Sequence, residues 1–230
     1  MMNNGKISDI NEHTYEKDVV CPVCNSHFKV RAVKVNSPRV ASKDSDFFIR
    51  YNVINPYFYD VWVCSCCGYA AMKVDFPKIK SFQKELVLTN ISKEWRKREF
   101  PLVPTVDDAI EKYKLALLNA TIMGKPSSTQ GMILLKLSWM YRLAENKEKE
   151  SVFLKQALRM LEEAFSNEDF PIYGLQRDSF TYLLGDLNRR IGNYSDALRW
   201  YSNVITTVGA SQRIKEMARD GKDSIPKDKE

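Results

Sequence analysis

Five cysteines carry the most specific chemistry in the sequence, and all of them lie in its first third. Two CxxC pairs account for four of them, and the second pair encloses the fifth: Cys21 with Cys24, and Cys64 with Cys67 around Cys66. Zinc prefers four tetrahedral thiolate or imidazole ligands, and two residues between cysteines let a tight turn direct both sulfurs at one ion. The spacing therefore predicts one structural zinc ion with four ligands, Cys21, Cys24, Cys64 and Cys67. Paired CxxC turns also suit a rubredoxin-type iron, so iron stays open as the metal.

Residues that favour tight turns accompany each cysteine pair. Pro22 presets the backbone of the first turn, and Gly68 follows the second pair, where a positive φ often occurs. Asn25 holds the matching place after the first pair and tolerates the left-handed region better than most residues. We therefore expect two similar metal-binding loops.

Two further side chains, Cys66 and His27, offer alternatives at this site. Three roles are open to Cys66: a spare thiol, a ligand that exchanges with another cysteine, or a redox-reactive neighbour of the metal. His27 follows Cys24 by three residues and offers a substitute ligand, but four thiolates already complete a tetrahedron. The spacing favours a spare thiol and a histidine that lies on the strand after the first loop.

The predicted ligand set argues against catalysis. A catalytic zinc keeps one position open for water and has a glutamate or histidine nearby, whereas four thiolates close the coordination shell. The chain has two histidines, His13 and His27, and contains no HExxH motif, nucleophile elbow or phosphate-binding glycine loop. We therefore expect a non-enzymatic protein in which the metal replaces part of a hydrophobic core.

The composition is typical of a folded protein, with 44% hydrophobic and 28% charged residues. Disordered, collagen-like and membrane-spanning chains are excluded, because they need high net charge at low hydrophobicity, a regular glycine repeat or a long apolar run. The first residues lack the apolar segment of a secretory signal, and an odd number of cysteines makes a poor disulfide framework. We therefore expect a cytoplasmic protein without membrane association.

Basic residues are concentrated in the cysteine-containing part. Residues 1–100 hold 16 Lys and Arg against 11 Asp and Glu, whereas residues 101–230 hold 19 against 18. Between the cysteine pairs lie aromatic and basic side chains that can stack on bases and contact phosphates: Phe47, Phe48, Tyr51, Tyr57, Phe58, Tyr59, Arg31, Lys34, Arg39 and Arg50. Nucleic acid is therefore a candidate partner, although such aromatics more often form the core of a small domain.

Alternating polar and apolar residues around the cysteines predict extended segments at 28–35, 59–63 and 69–76. Strands that lead into and out of CxxC turns make a zinc ribbon, which we place at residues 18–76 after a flexible N-terminus at 1–17. The long segment between the two cysteine pairs is expected to add a hairpin of its own.

Helical spacing dominates the remainder of the sequence. Recurring apolar residues predict a connecting helix over 77–100 that ends in a solvated basic cluster. Beyond it, three trios share a small–large–small pattern that places each trio on one helical face: Ala109, Tyr113 and Ala116; Ala157, Leu161 and Ala164; Ala197, Tyr201 and Val204. Paired helices that repeat at about 34–47 residues indicate an α-solenoid over 101–222, followed by a flexible tail at 223–230.

The last helix pair resembles the tetratricopeptide-repeat pattern, through Leu184-Gly185, Gly192-Asn193-Tyr194, Ala197 and Tyr201. The order of CPVC, the long insertion, CSCCGYA and the helices also resembles an uncharacterised bacterial family that joins a zinc-ribbon-like region to tetratricopeptide-like helices. This second resemblance covers nearly all of residues 18–210. It implies a fold and adds no activity.

Tetratricopeptide units generally bind peptides in a groove lined by the first helix of each pair. The resemblance places two arginines at equivalent positions of successive first helices, each near an aromatic residue: Arg142 near Trp139 and Arg189 near Tyr182. Two guanidinium groups can clamp a carboxylate of a bound peptide. The alternative is that the arginines pair with Asp186 or Glu145 on the helical surface.

The sequence thus predicts an α+β protein, a small β-rich zinc ribbon followed by an all-α tetratricopeptide-like solenoid. The function we favour is a zinc-binding adaptor that docks a protein or peptide through its helical groove. A nucleic-acid-associated regulator that uses the basic, aromatic-rich ribbon is the second hypothesis. A redox- or metal-responsive switch through Cys66 is the third.

Overall fold

The computed structural model describes residues 10–226. The predicted flexible ends at 1–17 and 223–230 lie partly outside the described residues. Within the described part, the chain forms two units whose segments alternate along the sequence. The first unit comprises the chain up to Ser42, Ile49–Lys125 and Trp139–Asn146, and the second comprises Lys43–Phe48, Pro126–Ser138 and the chain from Lys147 onward.

A short helix, α1, covers residues 10–13 and leads into three antiparallel strand pairs. The pairs are β1 Thr14–Val20 with β2 His27–Val33, β3 Val40–Lys43 with β4 Ile49–Tyr51, and β5 Val61–Val63 with β6 Ala70–Met72. Strand β1 pairs with β2 from Thr14 opposite Val33 to Val20 opposite His27. A 3₁₀ turn at Pro56–Tyr59 precedes β5. The middle pair lies in the long segment between the cysteines, where a hairpin was expected.

Helices make up most of the chain after β6. They are α2 Ser81–Val87, which continues as a π-helical turn over Leu88–Ser92, α3 Val106–Ile122, α4 Ser127–Leu143, α5 Lys147–Asn167, α6 Arg177–Arg190, α7 Tyr194–Thr206 and α8 Gln212–Asp223. Small strand pairs followed by helices confirm the predicted α+β class. No helix among residues 10–226 has both the length and the apolar character needed to cross a membrane.

The helix after β6 is shorter than the expected connecting helix. Lys80 is extended, with φ −83° and ψ 157°, so the helix begins at Ser81 rather than near Pro77. Ser92, the last residue of the π-helical turn, donates a hydrogen bond from its Oγ to the carbonyl of Cys67, at 2.8 Å. This bond ties the chain to the second cysteine loop, and the basic cluster that follows is not helical.

The core of the first unit surrounds the cysteines. Cys21, Cys64 and Cys67 are buried with apolar residues from the strands, α2 and the end of α3: Val19, Val23, Tyr69, Ala71, Phe76, Val87, Ile91 and Met123. Helix α3 packs on β5 and β6. At its end, the Met123 carbonyl accepts a hydrogen bond from Gln83 Nε2, at 3.0 Å, which joins α3 to α2.

The core of the second unit is built where α6, α7 and α8 pack together. Tyr201 fills the space above two glycines, since a Cβ at Gly185 or Gly221 would come within 2.8 or 2.5 Å of its side chain. The helix spacing of the sequence is reflected in burial, because all nine members of the three small–large–small trios are buried.

Candidate metal centre

Two hairpin loops position the four predicted metal ligands. Cys21 and Cys24 lie in the loop between β1 and β2, and Cys64 and Cys67 lie in the loop between β5 and β6. In each loop the first cysteine donates its N–H to the residue five positions later, with N···O distances of 2.9 and 2.8 Å. The sequence folds the same turn twice.

The residue after each pair has the backbone conformation that was expected of it. Asn25 has φ 58° and Gly68 has φ 77°. The N–H groups of both residues donate to the carbonyl of the first cysteine of their pair, at 2.9 and 3.0 Å. The positive φ closes each turn, which directs both side chains of a pair to the same side.

The four sulfurs lie together inside the core of the first unit. The Sγ atoms of Cys21 and Cys67 are 3.6 Å apart, as are those of Cys24 and Cys64, and all four lie within 4.8 Å of one another. These separations are too long for disulfides, and all cysteines are free. A tetrahedron of sulfurs about 2.3 Å from a zinc ion has edges of about 3.8 Å. The donor set therefore fits a zinc ion, and it is the one such group found within residues 10–226.

The pKa of a thiol in this group depends on the neighbouring sulfurs. The hydrogen bond with Cys64, together with burial, raises the pKa of Cys21 to about 12, whereas hydrogen bonds from Cys21 and Cys67 lower the pKa of Cys64. Ser26 Oγ lies 3.2 Å from Cys64 Sγ and 3.0 Å from Cys24 Sγ, where its hydroxyl can donate to a thiolate. Four sulfurs so close together can all ionise only beside a cation, so binding a divalent metal would release protons.

Contacts from distant parts of the chain support the second loop. The Trp95 indole Nε1 donates to the Ser65 carbonyl, at 2.8 Å, and its ring covers Gly68, where a Cβ would lie 2.6 Å from Trp95 Cδ2. Asn119 Nδ2 donates to the carbonyl of Gly68, at 3.2 Å. The sequence analysis missed these residues, because nothing in local spacing links Trp95 or Asn119 to the cysteines.

The two alternative ligands lie at the edge of the site. Cys66 is exposed, and the negative charge on the Cys24 sulfur raises its pKa. His27 is the exposed first residue of β2. Neither belongs to the group of four sulfurs. A metal-binding or redox role for Cys66 or His27 stays a prediction.

The four residues predicted to line a peptide groove fall in different units. Trp139 and Arg142 belong to the first unit, where the Trp139 ring lies 5.4 Å from that of Tyr57, and Tyr182 and Arg189 belong to the second. Arg189 Nη2 lies 2.7 Å from Asp186 Oδ1, which is the pairing considered as the alternative to a clamp. The clamp stays a prediction.

Helix α6 of the second unit contacts the turn that joins β3 to β4, Lys43–Phe48, in which the Phe47 N–H donates back to the Asp44 carbonyl at 3.2 Å. The Tyr182 hydroxyl donates to the carbonyl of Ser45, at 3.0 Å, and the Phe47 ring lies 5.5 Å from the Tyr182 ring. Arg190 Nη2 lies 3.4 Å from the buried carboxylate of Asp46. The surface around Tyr182 thus binds a short acidic and aromatic peptide segment that the chain itself supplies.

One carboxylate, that of Asp186, organises the charges beneath this segment. Its Oδ1 pairs with Arg189, and its Oδ2 lies 2.8 Å from Arg190 Nε and 2.9 Å from Ser45 Oγ. Burial alone would raise the pKa of Asp186, but Arg190 and Arg189 outweigh it and lower that pKa. The carboxylate is therefore ionised and fully paired at neutral pH.

Comparison with known proteins identifies one family. The sequence profile of the family described as "Uncharacterized protein conserved in bacteria (DUF2225)" matches residues 14–225. The match spans both cysteine loops and the helices from α2 to α8. No curated protein and no solved structure matches the chain.

Proposed function

We propose that this chain, which belongs to the family of uncharacterized proteins conserved in bacteria (DUF2225), is a non-enzymatic adaptor built around a structural zinc ion. The observation that carries the proposal is the group of four sulfurs, three of which belong to buried cysteines of the core. Four thiolates complete the coordination shell of zinc and leave no position for water or substrate. The metal would then stabilise the fold, and the protein would act by binding.

Metal content tests the first part of the proposal. Elemental mass spectrometry on protein purified without a metal-affinity tag should find one zinc ion per chain, and chelation should release it. Thermal unfolding before and after chelation should show loss of the first unit, because structural zinc contributes folding free energy directly. Iron in place of zinc, or a metal that leaves without loss of structure, would contradict the proposal.

For the helical part, we propose that tetratricopeptide-like helices dock a protein or peptide. Burial of the three trios supports helix pairing of this kind. The contacts of Tyr182 with Ser45 and Phe47 support a helical surface that accepts a short peptide turn. Because Asp46 pairs with Arg190, we expect the partner peptide to be acidic.

A peptide array tests this docking. Peptides that combine acidic and aromatic residues should bind, and Arg189→Ala should weaken that binding. Arg159→Ala, which removes an exposed arginine of α5 in the same unit, is the matched control. Equal affinities of the two variants would contradict docking on the surface around Tyr182 and Arg189.

The two other hypotheses receive less support. The aromatic residues that were considered for base stacking are all buried or half-buried, as in a core rather than an open stacking surface: Phe47, Phe48, Tyr51, Tyr57, Phe58 and Tyr59. For the redox switch, Cys66 is exposed and lies outside the group of four sulfurs, so oxidation of Cys66 alone removes no ligand.

A further inference from the structure

The first unit contains a cleft of about 480 Å³ that the proposed adaptor function does not use. Strands β2 and β5, the segment 97–104 and helix α3 line it. Its lining residues include five cationic side chains and two carboxylates. The cations are Lys29, Arg31, Lys97, Arg98 and Lys112, and the carboxylates are Glu16 and Glu99. The lining is therefore strongly basic.

Two of these cations already have carboxylate partners. Lys29 Nζ lies 3.1 Å from Glu16 Oε2, and Arg98 pairs with Glu111. No such pair involves Arg31, Lys97 or Lys112 within residues 10–226. Arg31, Lys97 and Lys112 thus lack an ion-pair partner among these residues, although Glu99 lines the same cleft and the carboxylate of Asp108 favours the charged form of Lys112.

Hydrogen bonding at the cleft is incomplete as well. Arg31 Nη1 donates to two neutral oxygens, Asn11 Oδ1 and Thr14 Oγ1, both at 2.7 Å, while its buried Nε has no acceptor. The indole Nε1 of Trp62 is buried without an acceptor too. Buried donors are nearly always paired in folded proteins, so two such donors on residues of one cleft point to a missing acceptor.

Lys112 adds a poorly hydrated cation. Burial lowers the pKa of its ammonium group, and its Nζ lies 5.1 Å from the ring centre of Phe100. A cation that has lost water attracts an anion more strongly than an exposed lysine does, because the local dielectric constant is lower. An anion in the cleft would favour the charged form of Lys112.

We propose that this cleft binds a small phosphate-bearing molecule whose oxygens neutralise Lys97 and Lys112 and, once the Arg31 and Trp62 side chains turn toward the cleft, accept hydrogen bonds from their unpaired N–H groups. A phosphate group has more acceptor oxygens than a carboxylate, which suits donors that come from separate elements of the fold. The cleft volume lies in the range of about 300–1,000 Å³ usual for small-molecule sites. Because the cleft is limited to about 480 Å³, a small ligand fits this site better than a nucleic-acid strand. The inference is independent of the adaptor function.

Isothermal titration calorimetry of the zinc-loaded full chain tests the proposal, with inorganic pyrophosphate and ADP as probes. We expect one-to-one binding, and we expect Arg31→Gln, Trp62→Phe and Lys112→Met to weaken it about tenfold each. Trp62→Phe removes the N–H donor and keeps an aromatic ring. Lys93→Met is the matched control, because this exposed lysine lies near Lys97 in sequence but outside the cleft. Zinc content and thermal unfolding verify that each variant is folded.

The probes separate two sources of the phosphate group. Binding of ADP alone would indicate that the ligand is a nucleotide, and binding of both probes would indicate that the phosphate group itself is recognised. Either result supports the site. Absence of binding by both probes would overturn it, as would equal affinity for the cleft variants and Lys93→Met. Binding of a single-stranded RNA oligonucleotide by a chain that ignores both probes would overturn it in favour of a strand.

Discussion

The cysteine loops of the first unit and the charged cluster beneath Lys43–Phe48 in the second unit both contain buried ionisable side chains. They differ in what neutralises the charges of those side chains. In the loops, four thiols of one kind converge, and they need an external cation before all can ionise. In the cluster, the carboxylates of Asp46 and Asp186 face Arg189 and Arg190, and the chain supplies both signs of charge. The comparison teaches that the proposed metal would make the first unit depend on a cofactor, whereas the charges of this cluster in the second unit neutralise one another.

Removing one ligand should separate the two units most clearly. Cys64→Ser takes away a buried thiolate from the metal shell, so we expect loss of zinc and unfolding of the first unit at moderate temperature. Amide hydrogen exchange should show α6–α8 still protected. Cys66→Ser is the matched control and should keep both metal and stability, since Cys66 is outside the group of four. Similar exchange in both units after the Cys64 change would show that they do not differ in this way.

Breaking the charged cluster should have the next largest effect. Asp186→Asn leaves two partly buried arginines with one fewer carboxylate, and we expect the free energy of unfolding to fall by about 3 kcal/mol. Urea denaturation measures this change. Asp196→Asn removes the carboxylate of an exposed pair with Arg199, at 3.1 Å, and should cost close to nothing. Zinc content should be unchanged in both variants.

Acid should weaken the second unit through the same carboxylate. The pKa of Asp186 is lower in the folded than in the unfolded chain, so its stabilising contribution is present above the unfolded pKa of about 4 and disappears as pH falls through the folded pKa. Hydrogen exchange in α6–α8 between pH 5 and pH 3 should therefore speed up, after correction for intrinsic exchange. Asp186→Asn should show a smaller pH dependence, and identical pH profiles would contradict the assignment.

Crowding at Gly68 should give the smallest of these effects. Gly68→Ala combines a positive φ with a Cβ 2.6 Å from Trp95, whereas Gly124→Ala has a positive φ of 58° and open space. We expect Gly68→Ala to be the less stable variant by at least about 1 kcal/mol, because the Trp95 ring has to move. Thermal unfolding of the zinc-loaded variants measures the difference. Equal stabilities would show that packing of Trp95 on Gly68 does not stabilise the second cysteine loop.

Local spacing explains why so much of the candidate metal centre was predictable. Each CxxC pair, together with Asn25 or Gly68, forms a turn whose conformation depends on a few consecutive residues, and only the joining of two turns is a long-range event. The helical trios were predictable for the same reason, because spacings of four and three place residues on one face wherever the helix packs.

Helix ends and boundaries were harder to predict, as the connecting helix shows. Its apolar pattern continues past Ser92, but the chain is not helical there. The hydrogen bonds of Ser92 to Cys67 and of Trp95 to Ser65 fix this non-helical conformation. A tertiary contact of this kind overrides local preference, and the sequence around Trp95 carries no sign of its partner.

The sequence by itself determined the α+β class, the two cysteine loops and the buried faces of the helices, because each depends on residues close together in the chain. Only the tertiary structure decided that Arg189 contacts Ser45, which residues support the second loop and which elements bring their cations to the basic cleft. Such partners lie far apart in the chain, and Ser45 and Arg189 are separated by 144 residues. Their meeting depends on how separate elements pack, and short-range spacing carries no information about that packing.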